Sequence, residues 1–216
     1  MDLSFPATPT TIHALHALHR PPLGLQARRL RRLHERLARP QQRRAATDRL
    51  FLAVVPPADV AARIARLARH LKIGHDLQGK PLEPEHFHVT LCHLGDGVGV
   101  PADLVSLATE RAAGIAMPSF KVAFDRVESF RNGAFVLRGD DSVIGLEVLH
   151  QRLSDALDDS PQPARPFTPH VTLLRDHHLV PEHAIEPIEW QVKDIVLVHS
   201  LLGKTTHRHL ARVPLV

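Results

Sequence analysis

The sequence is poor in aromatic residues and in cysteine, and each shortage excludes a class of structure. Among 216 residues it has no Tyr, one Trp and one Cys, and aromatic residues make up 4%. The single Cys92 excludes an internal disulfide and agrees with a reducing compartment. With so few aromatic rings, a platform on which several bases of a long strand could stack is not evident.

Long apolar runs are also missing. No run approaches the roughly 20 residues that cross a bilayer, and His13, His16 and His19 interrupt the N-terminal stretch, which lacks the apolar core of a signal peptide. We therefore expect a cytoplasmic monomer without membrane association. Neither a Gly-rich triphosphate-binding loop nor a Gly-x-Ser-x-Gly elbow occurs, so ATP-driven ligation and esterase chemistry have no support.

Positive charge is concentrated near the N-terminus. The sequence pI is about 9.8, but residues 1–48 hold nine Arg against Asp2, Glu35 and Asp48, a net charge of +6. Subtracting these from 27 basic and 23 acidic residues leaves 18 and 20, so residues 49–216 carry a net charge of −2. A nucleic-acid substrate would therefore be bound at a small local site and not along a duplex.

Composition divides the chain into a basic extension over 1–47 and a compact domain over 48–216. Apolar residues recur at helical spacing among Arg residues between 23 and 39, and Pro40 ends the pattern. Such a pattern is typical of a basic amphipathic helix for RNA or an anionic surface. We favour the alternative, a solvated and partly flexible extension.

The compact domain alternates strand and helix patterns. Helical periodicity predicts three helices, at 57–72, 103–113 and 143–157. Period-two patterns and turn residues predict seven strands, including the two motif copies described next, at 49–55, 87–94, 120–127, 134–137, 170–175, 192–200 and 207–213. Loops are predicted at 73–86 and at 176–188, the second because it contains Pro181 and Pro187. This order suggests two similar halves around a mixed sheet.

The tetrapeptide His-Val-Thr-Leu occurs twice, at 88–91 and 170–173. Because side chains alternate along a strand, His88 and Thr90 share one face, as do His170 and Thr172, while the Val and Leu residues face the core. Two imidazoles can hold one neutral ring as a base and one protonated ring as an acid near pH 6.5. The Thr hydroxyls can donate to phosphoryl oxygens, and this chemistry requires no metal.

Other polar residues near the motifs admit more than one interpretation. Arg175 could neutralise phosphate charge, or it could pair with Asp176. We interpret His86 and His93, which flank the first copy, as solvated or supporting residues. Two His clusters could supply metal ligands, but their spacing matches no established metal motif, and we expect no metal; their members are His86, His88 and His93, and His177, His178 and His183.

The motif copies occur together with further blocks at 49–51, 56–57, 94–96 and 169–175, which read Arg-Leu-Phe, Pro-Pro, Leu-Gly-Asp and Pro-His-Val-Thr-Leu-Leu-Arg. These blocks resemble the two-histidine phosphoesterase superfamily. Within it, they are most similar to the bacterial 2'-5' RNA ligase, or RNA 2',3'-cyclic phosphodiesterase, family. The resemblance covers about 48–216. It implies an α+β fold of two pseudo-symmetric lobes, with mixed, mainly antiparallel sheets, outer helices and a central cleft.

The resemblance also implies a reaction: a 2',3'-cyclic phosphate at an RNA end or on a nucleotide is hydrolysed to a 2'-phosphomonoester, without a cofactor. Carried over to the matching positions, His88 is the proton donor, His170 the proton acceptor, and Thr90 and Thr172 the phosphate ligands. Relatives have also been associated with joining 2'-5' RNA linkages. Many carry a Tyr where this chain has His207, so a contact made by that Tyr is in doubt.

Two other functions stay open. A related enzyme could act on 2'-5' oligonucleotides or on a small cyclic phosphate such as ADP-ribose 1'',2''-cyclic phosphate. A non-catalytic module could bind RNA ends with the same fold. A bell-shaped pH profile of turnover distinguishes an enzyme from such a module.

Overall fold

The computed structural model describes residues 45–157 and 167–216, which contain three helices and eight strands. The helices are α1 (Ala58–Gly74), α2 (Ala102–Ala113) and α3 (Ile144–Leu157). The strands are β1 (Asp48–Val54), β2 (Val89–Gly97), β3 (Phe120–Ser129), β4 (Ala134–Arg138), β5 (His170–Arg175), β6 (His183–Val192), β7 (Asp194–Leu201) and β8 (Thr206–Pro214). Short 3-10 turns cover Pro84–His86 and Asp141–Val143. The extension predicted at 1–47 lies, as far as residue 44, outside the described residues.

The strands form two four-stranded sheets. The first sheet has the order β2-β1-β7-β8 and the second has the order β5-β4-β3-β6. All six pairings are antiparallel. The predicted α+β class with two lobes is therefore confirmed, whereas the single mixed sheet is replaced by two antiparallel ones. Each sheet carries one motif copy on an edge strand, and these strands, β2 and β5, contact each other.

The prediction of a loop over 176–188 is wrong for its second half, because β6 begins at His183. Pro187 interrupts the strand pattern, but it is tolerated for two reasons. β6 is an edge strand with β3 as its one neighbour in the described sheet, and the pairing shifts register between Phe124 and Arg126, opposite Pro187. A proline that lacks an N–H is accommodated at an edge or a bulge.

One large apolar core joins both sheets and the helices. Helix α1 places Val60, Ile64, Ala68 and Leu71 in it at three- and four-residue spacing. This helix packs on β5 and β6 of the second sheet, although its chain neighbours are strands of the first. Helix α3 likewise contacts β2 and β3. The helices therefore hold the two sheets together, which fixes the position of β2 relative to β5.

A second, smaller apolar cluster lies on the opposite face of the first sheet. It contains Phe51, Ala53, Val196 and Val198, so the central strands β1 and β7 are buried on both faces. No helix of the described residues is long and apolar enough to span a membrane.

Candidate active site

His88 and His170 occupy equivalent places at the start of the two motif strands. His88 immediately precedes β2, and His170 is the first residue of β5. The Nδ1 of His88 lies 2.7 Å from the carbonyl oxygen of His86, and the Nδ1 of His170 lies 2.7 Å from that of Thr168. A carbonyl oxygen only accepts, so each Nδ1 carries the donated hydrogen. In each ring, Nε2 is left to exchange a proton with another group.

The surroundings lower the pKa of both imidazoles from the ordinary 6.5. For His88 the main cause is burial, and the charges of His170 and His86 lower the pKa further. The hydrogen bond to the carbonyl of His86 acts in the opposite direction and raises it. For His170 burial again comes first, with added repulsion from Arg138 and Arg175. Both rings therefore favour the neutral form more strongly than a free imidazole does.

Thr90 and Thr172 lie on the same faces as the two histidines, as strand alternation predicts. Thr90 pairs with Ala53 of β1, and Thr172 pairs with Val136 of β4. Both side chains are half-buried. Neither hydroxyl bonds to another residue of the described part of the chain, so both are available to a ligand.

His207 and Phe51 form the wall beside His88. The ring centroids of Phe51 and His88 are 4.9 Å apart, and those of His207 and His88 are 5.2 Å apart. Burial, with the positive charges of neighbouring histidines, lowers the pKa of His207 to about 4. His207 is therefore neutral at physiological pH and lies next to His88.

The two histidines that flank the first motif copy differ in their exposure. His86 is buried behind His207, and its Nε2 lies 2.8 Å from the carbonyl oxygen of Thr205. His93 is exposed, and its Nε2 lies 2.8 Å from Asp96. His86 therefore supports the wall, whereas His93 is exposed at its edge, opposite Phe51 in the pairing of β2 with β1.

Arg138, which the sequence did not single out, lies directly across from His170. The two residues pair between β4 and β5, and Nη1 of Arg138 contacts Glu128 at 2.5 Å and Glu182 at 3.3 Å. Arg175 is exposed at the end of β5 and forms no ion pair within the described residues. Asp176 bonds instead to the backbone N–H groups of Gln78, Gly79 and His178, so the predicted Arg175–Asp176 alternative is not found.

An open cavity of about 320 Å³ adjoins this side of the site. It is lined by Arg138, Thr168 and Pro169 together with acidic and apolar residues of the neighbouring loop and helix, namely Asp140, Asp141, Ile144, Glu147 and Phe167. Thr168 and Pro169 directly precede His170 in the chain, but His170 itself does not line the cavity.

The two His clusters that were considered as metal ligands do not come together in the fold. In the ranges 45–157 and 167–216, no group of three or more His, Cys, Asp or Glu side chains is arranged to hold a metal ion. His93 pairs with Asp96, and His183 contacts His75 in place of His177 or His178.

Comparisons with known proteins agree with this fold. The family model described as "2'-5' RNA ligase superfamily" matches residues 55–204, which include both motif copies. The chain is 31% identical over 134 residues to the RNA 2',3'-cyclic phosphodiesterase of Escherichia coli strain K12, a match that covers 60% of this chain and 72% of that protein.

Solved structures of similar fold cover most of the domain. The crystal structure of E. coli LigT complexed with 3'-AMP has a TM-score of 0.63 and 27% identity, and covers 78% of this chain and 98% of that one. TT0787 of Thermus thermophilus has a TM-score of 0.60 and 24% identity, covers 77% of this chain and 97% of that one, and shows the fold alone. With the repeated motif and the two edge strands that carry it, these matches show that the chain belongs to the 2'-5' RNA ligase superfamily of two-histidine phosphoesterases.

Proposed function

We propose that this chain is a phosphodiesterase that opens 2',3'-cyclic phosphate ends of RNA or of nucleotides and leaves a 2'-phosphomonoester. The observation that carries the proposal is the equivalence of His88 and His170. Each ring is held through Nδ1 by a carbonyl two residues earlier in the chain, and each precedes by two residues a Thr whose hydroxyl has no partner among the described residues. A displacement at phosphorus needs one base and one acid on opposite sides of the phosphate, and this arrangement supplies both.

In the proposed reaction, Nε2 of His170 removes a proton from water while the water oxygen forms a bond to phosphorus. The bond between phosphorus and the 3' oxygen breaks, and Nε2 of His88 gives its proton to that oxygen. The hydroxyls of Thr90 and Thr172 donate to the non-bridging oxygens, where charge concentrates in the transition state. After product release His170 loses a proton to solvent and His88 gains one, which restores the starting state.

The charges around the cleft support an anionic substrate. Arg138 faces His170 across two paired strands, and the exposed Arg175 also contributes positive charge at this ring. A bound phosphate would offset this repulsion and raise the pKa of the imidazoles, so substrate would favour the protonated form of the acid. Residues 49–216 carry no net positive charge, which favours a short or terminal nucleotide over a long strand.

Joining of 2'-5' RNA ends is a second activity of the same site. It would use the same displacement with the 5' hydroxyl of a second RNA end in place of water. The 5' oxygen would bond to phosphorus as the bond to the 3' oxygen breaks, so His170 would take the proton of the 5' hydroxyl and His88 would give one to the 3' oxygen. The family model that matches residues 55–204 is described as an RNA ligase superfamily, which is the observation that favours this second activity. Ligation would therefore require the same four side chains as hydrolysis.

The first experiment measures hydrolysis of a 2',3'-cyclic nucleotide in EDTA by the wild type and by His88→Ala and His170→Ala. Each substitution is expected to lower kcat by about 10²–10⁴-fold, the usual contribution of one positioned proton transfer. His70→Ala is the matched control, because His70 is an exposed residue of helix α1. Turnover that survives either cleft substitution, or that disappears only on chelation, would overturn the proposal.

A second experiment assigns the acid. A phosphodiester with a nitrophenolate leaving group needs no proton on departure, so loss of the general acid is less damaging with that substrate. We expect the nitrophenyl ester to restore much of the rate of His88→Ala and little of the rate of His170→Ala. The reverse pattern would exchange the roles of the two rings.

A further inference from the structure

Two other histidines face each other away from the candidate active site. His75 directly follows helix α1, and His183 is the first residue of β6. Their Nε2 atoms are 3.3 Å apart, their ring centroids are 4.8 Å apart, and the ring planes are inclined by 55°. Both side chains are half-buried, so the pair is accessible to a small ion from solvent.

The hydrogen bonding of His183 leaves a lone pair directed at His75. Nδ1 of His183 lies 3.1 Å from the carbonyl oxygen of Pro181, and because a carbonyl only accepts, this nitrogen carries the hydrogen. In the neutral ring, Nε2 of His183 is therefore an acceptor. Two arrangements satisfy it: His75 donates its own Nε2–H, or both Nε2 atoms direct lone pairs at one cation.

The distance and the outer contact fit the second arrangement. Zinc binds imidazole nitrogen at about 2.0–2.1 Å, and two ligands at a tetrahedral angle are then about 3.4 Å apart. The observed 3.3 Å is close to that separation. Metal-ligating histidines usually donate their other N–H to a carbonyl or carboxylate, as His183 does to Pro181.

We propose that His75 and His183 form a binding site for a divalent transition-metal ion that prefers imidazole, such as Zn²⁺, with water in the remaining positions. The site is separate from the cleft. His183 pairs with Val127, whose side chain is in the core, whereas His170 and Thr172 lie on the opposite face of the same sheet. The ion therefore has no part in the phosphoryl chemistry.

The consequence of binding would be structural. The chain connects His75 to the first sheet, because α1 lies between β1 and β2, while His183 belongs to the edge strand of the second sheet. An ion shared by the two rings would link the end of α1 to β6, and it would bind the folded chain only, because unfolding separates the ligands. Ligand binding to the folded state alone raises its stability.

The test compares thermal unfolding of the full chain in EDTA and in excess Zn²⁺. We expect Zn²⁺ to raise the Tm of the wild type by several degrees, and this increment to disappear in His75→Gln, in His183→Gln and in the double variant. His177→Gln is the matched control, because His177 is an exposed histidine close to His183 in the sequence and should keep the full increment. Histidines of the N-terminal region are common to all variants and cancel in the comparison.

A second measurement needs no substitution. In protein with nitrogen-15 histidine, one equivalent of Zn²⁺ should shift the Nε2 signals of His75 and His183 and leave those of His88 and His170 in place. The cyclic-nucleotide turnover of the wild type should be the same in EDTA and in that one equivalent. The proposal is overturned if the two Nε2 signals do not respond, or if the Tm increment persists in both single variants.

Discussion

Replacing Thr172 by Val tests the proposed phosphate contact with little disturbance of the fold. The hydroxyl of Thr172 has no partner among the described residues, and its strand neighbour is the apolar Val136. Valine keeps the branched shape, so no buried group loses a partner, and the unfolding free energy should change by less than about 1 kcal/mol. The transition state would lose one charge-assisted donor, which costs about 2.7–4 kcal/mol, or 10²–10³ in kcat.

The same reasoning predicts the activity of related variants. Thr172→Ser keeps the hydroxyl and should stay within about tenfold of the wild type, while Thr90→Val should match Thr172→Val. The two hydroxyls would contact different oxygens, so the double variant should lose about 10⁴–10⁶, the product of the two single effects. The assay is steady-state hydrolysis of a 2',3'-cyclic nucleotide in EDTA, with kcat and KM separated. A Val variant that turns over like the wild type, or a Ser variant as slow as Val, would refute the contact.

Three further outcomes are expected. Because burial lowers the pKa of His88 and His170 from 6.5, the free enzyme with one protonated ring becomes scarce at higher pH, so kcat/KM should peak below pH 6.5; a plateau extending to pH 8 contradicts this. The pKa of His207 is about 4, so the unfolded chain binds more protons between pH 6.5 and 4, and stability should fall as the pH is lowered through that window. The loss should be about 2 kcal/mol of unfolding free energy, a value reduced for the solvent screening of a half-buried ring. Denaturant titrations of His207→Gln should show a smaller loss, and an equal loss would contradict the assignment. Gly79→Ala should cost about 1–3 kcal/mol in urea unfolding, because its Cβ would lie 2.0 Å from the carbonyl oxygen of Arg175. The control Gly74→Ala, whose Cβ meets nothing within 4 Å, should not.

The motif strands and helices could be predicted because their patterns are local. The alternation in each motif copy placed His and Thr on one face, and the spacing of Val60, Ile64 and Leu71 marked the buried side of α1. The turn at Asn132 and Gly133 also follows from sequence, because Gly133 adopts a φ of 81° that favours glycine. Each of these features depends on residues only a few positions apart.

The features that the sequence did not reveal depend on sheet pairing. Pro187 excluded a strand by a local rule, yet β6 is an edge strand with a register shift at that point. Its alternating Ile188, Trp190 and Val192, all buried, were the signal that could have indicated the strand. Arg138 reaches His170 only through the β4–β5 register, which no local pattern specifies.

The contact of His75 with His183 needs the packing of α1 on the second sheet. Those two residues are 108 positions apart. Periodicity within a helix or a strand carries no information about such a pair. Seventeen histidines in the chain made many pairs conceivable, and only the fold selects this one.

The placement of β7 beside β1 has a consequence for synthesis of the protein. Asp48 and His199, whose side chains meet at 2.6 Å, are 151 positions apart, so the first sheet is completed only after every strand of the second sheet has been synthesised. The second sheet, contained within Phe120–Val192, can pair its strands earlier. Such distant pairing slows folding. Until β7 and β8 have been synthesised, β1 and β2 expose apolar edges. We expect chaperones to bind the nascent chain during that interval.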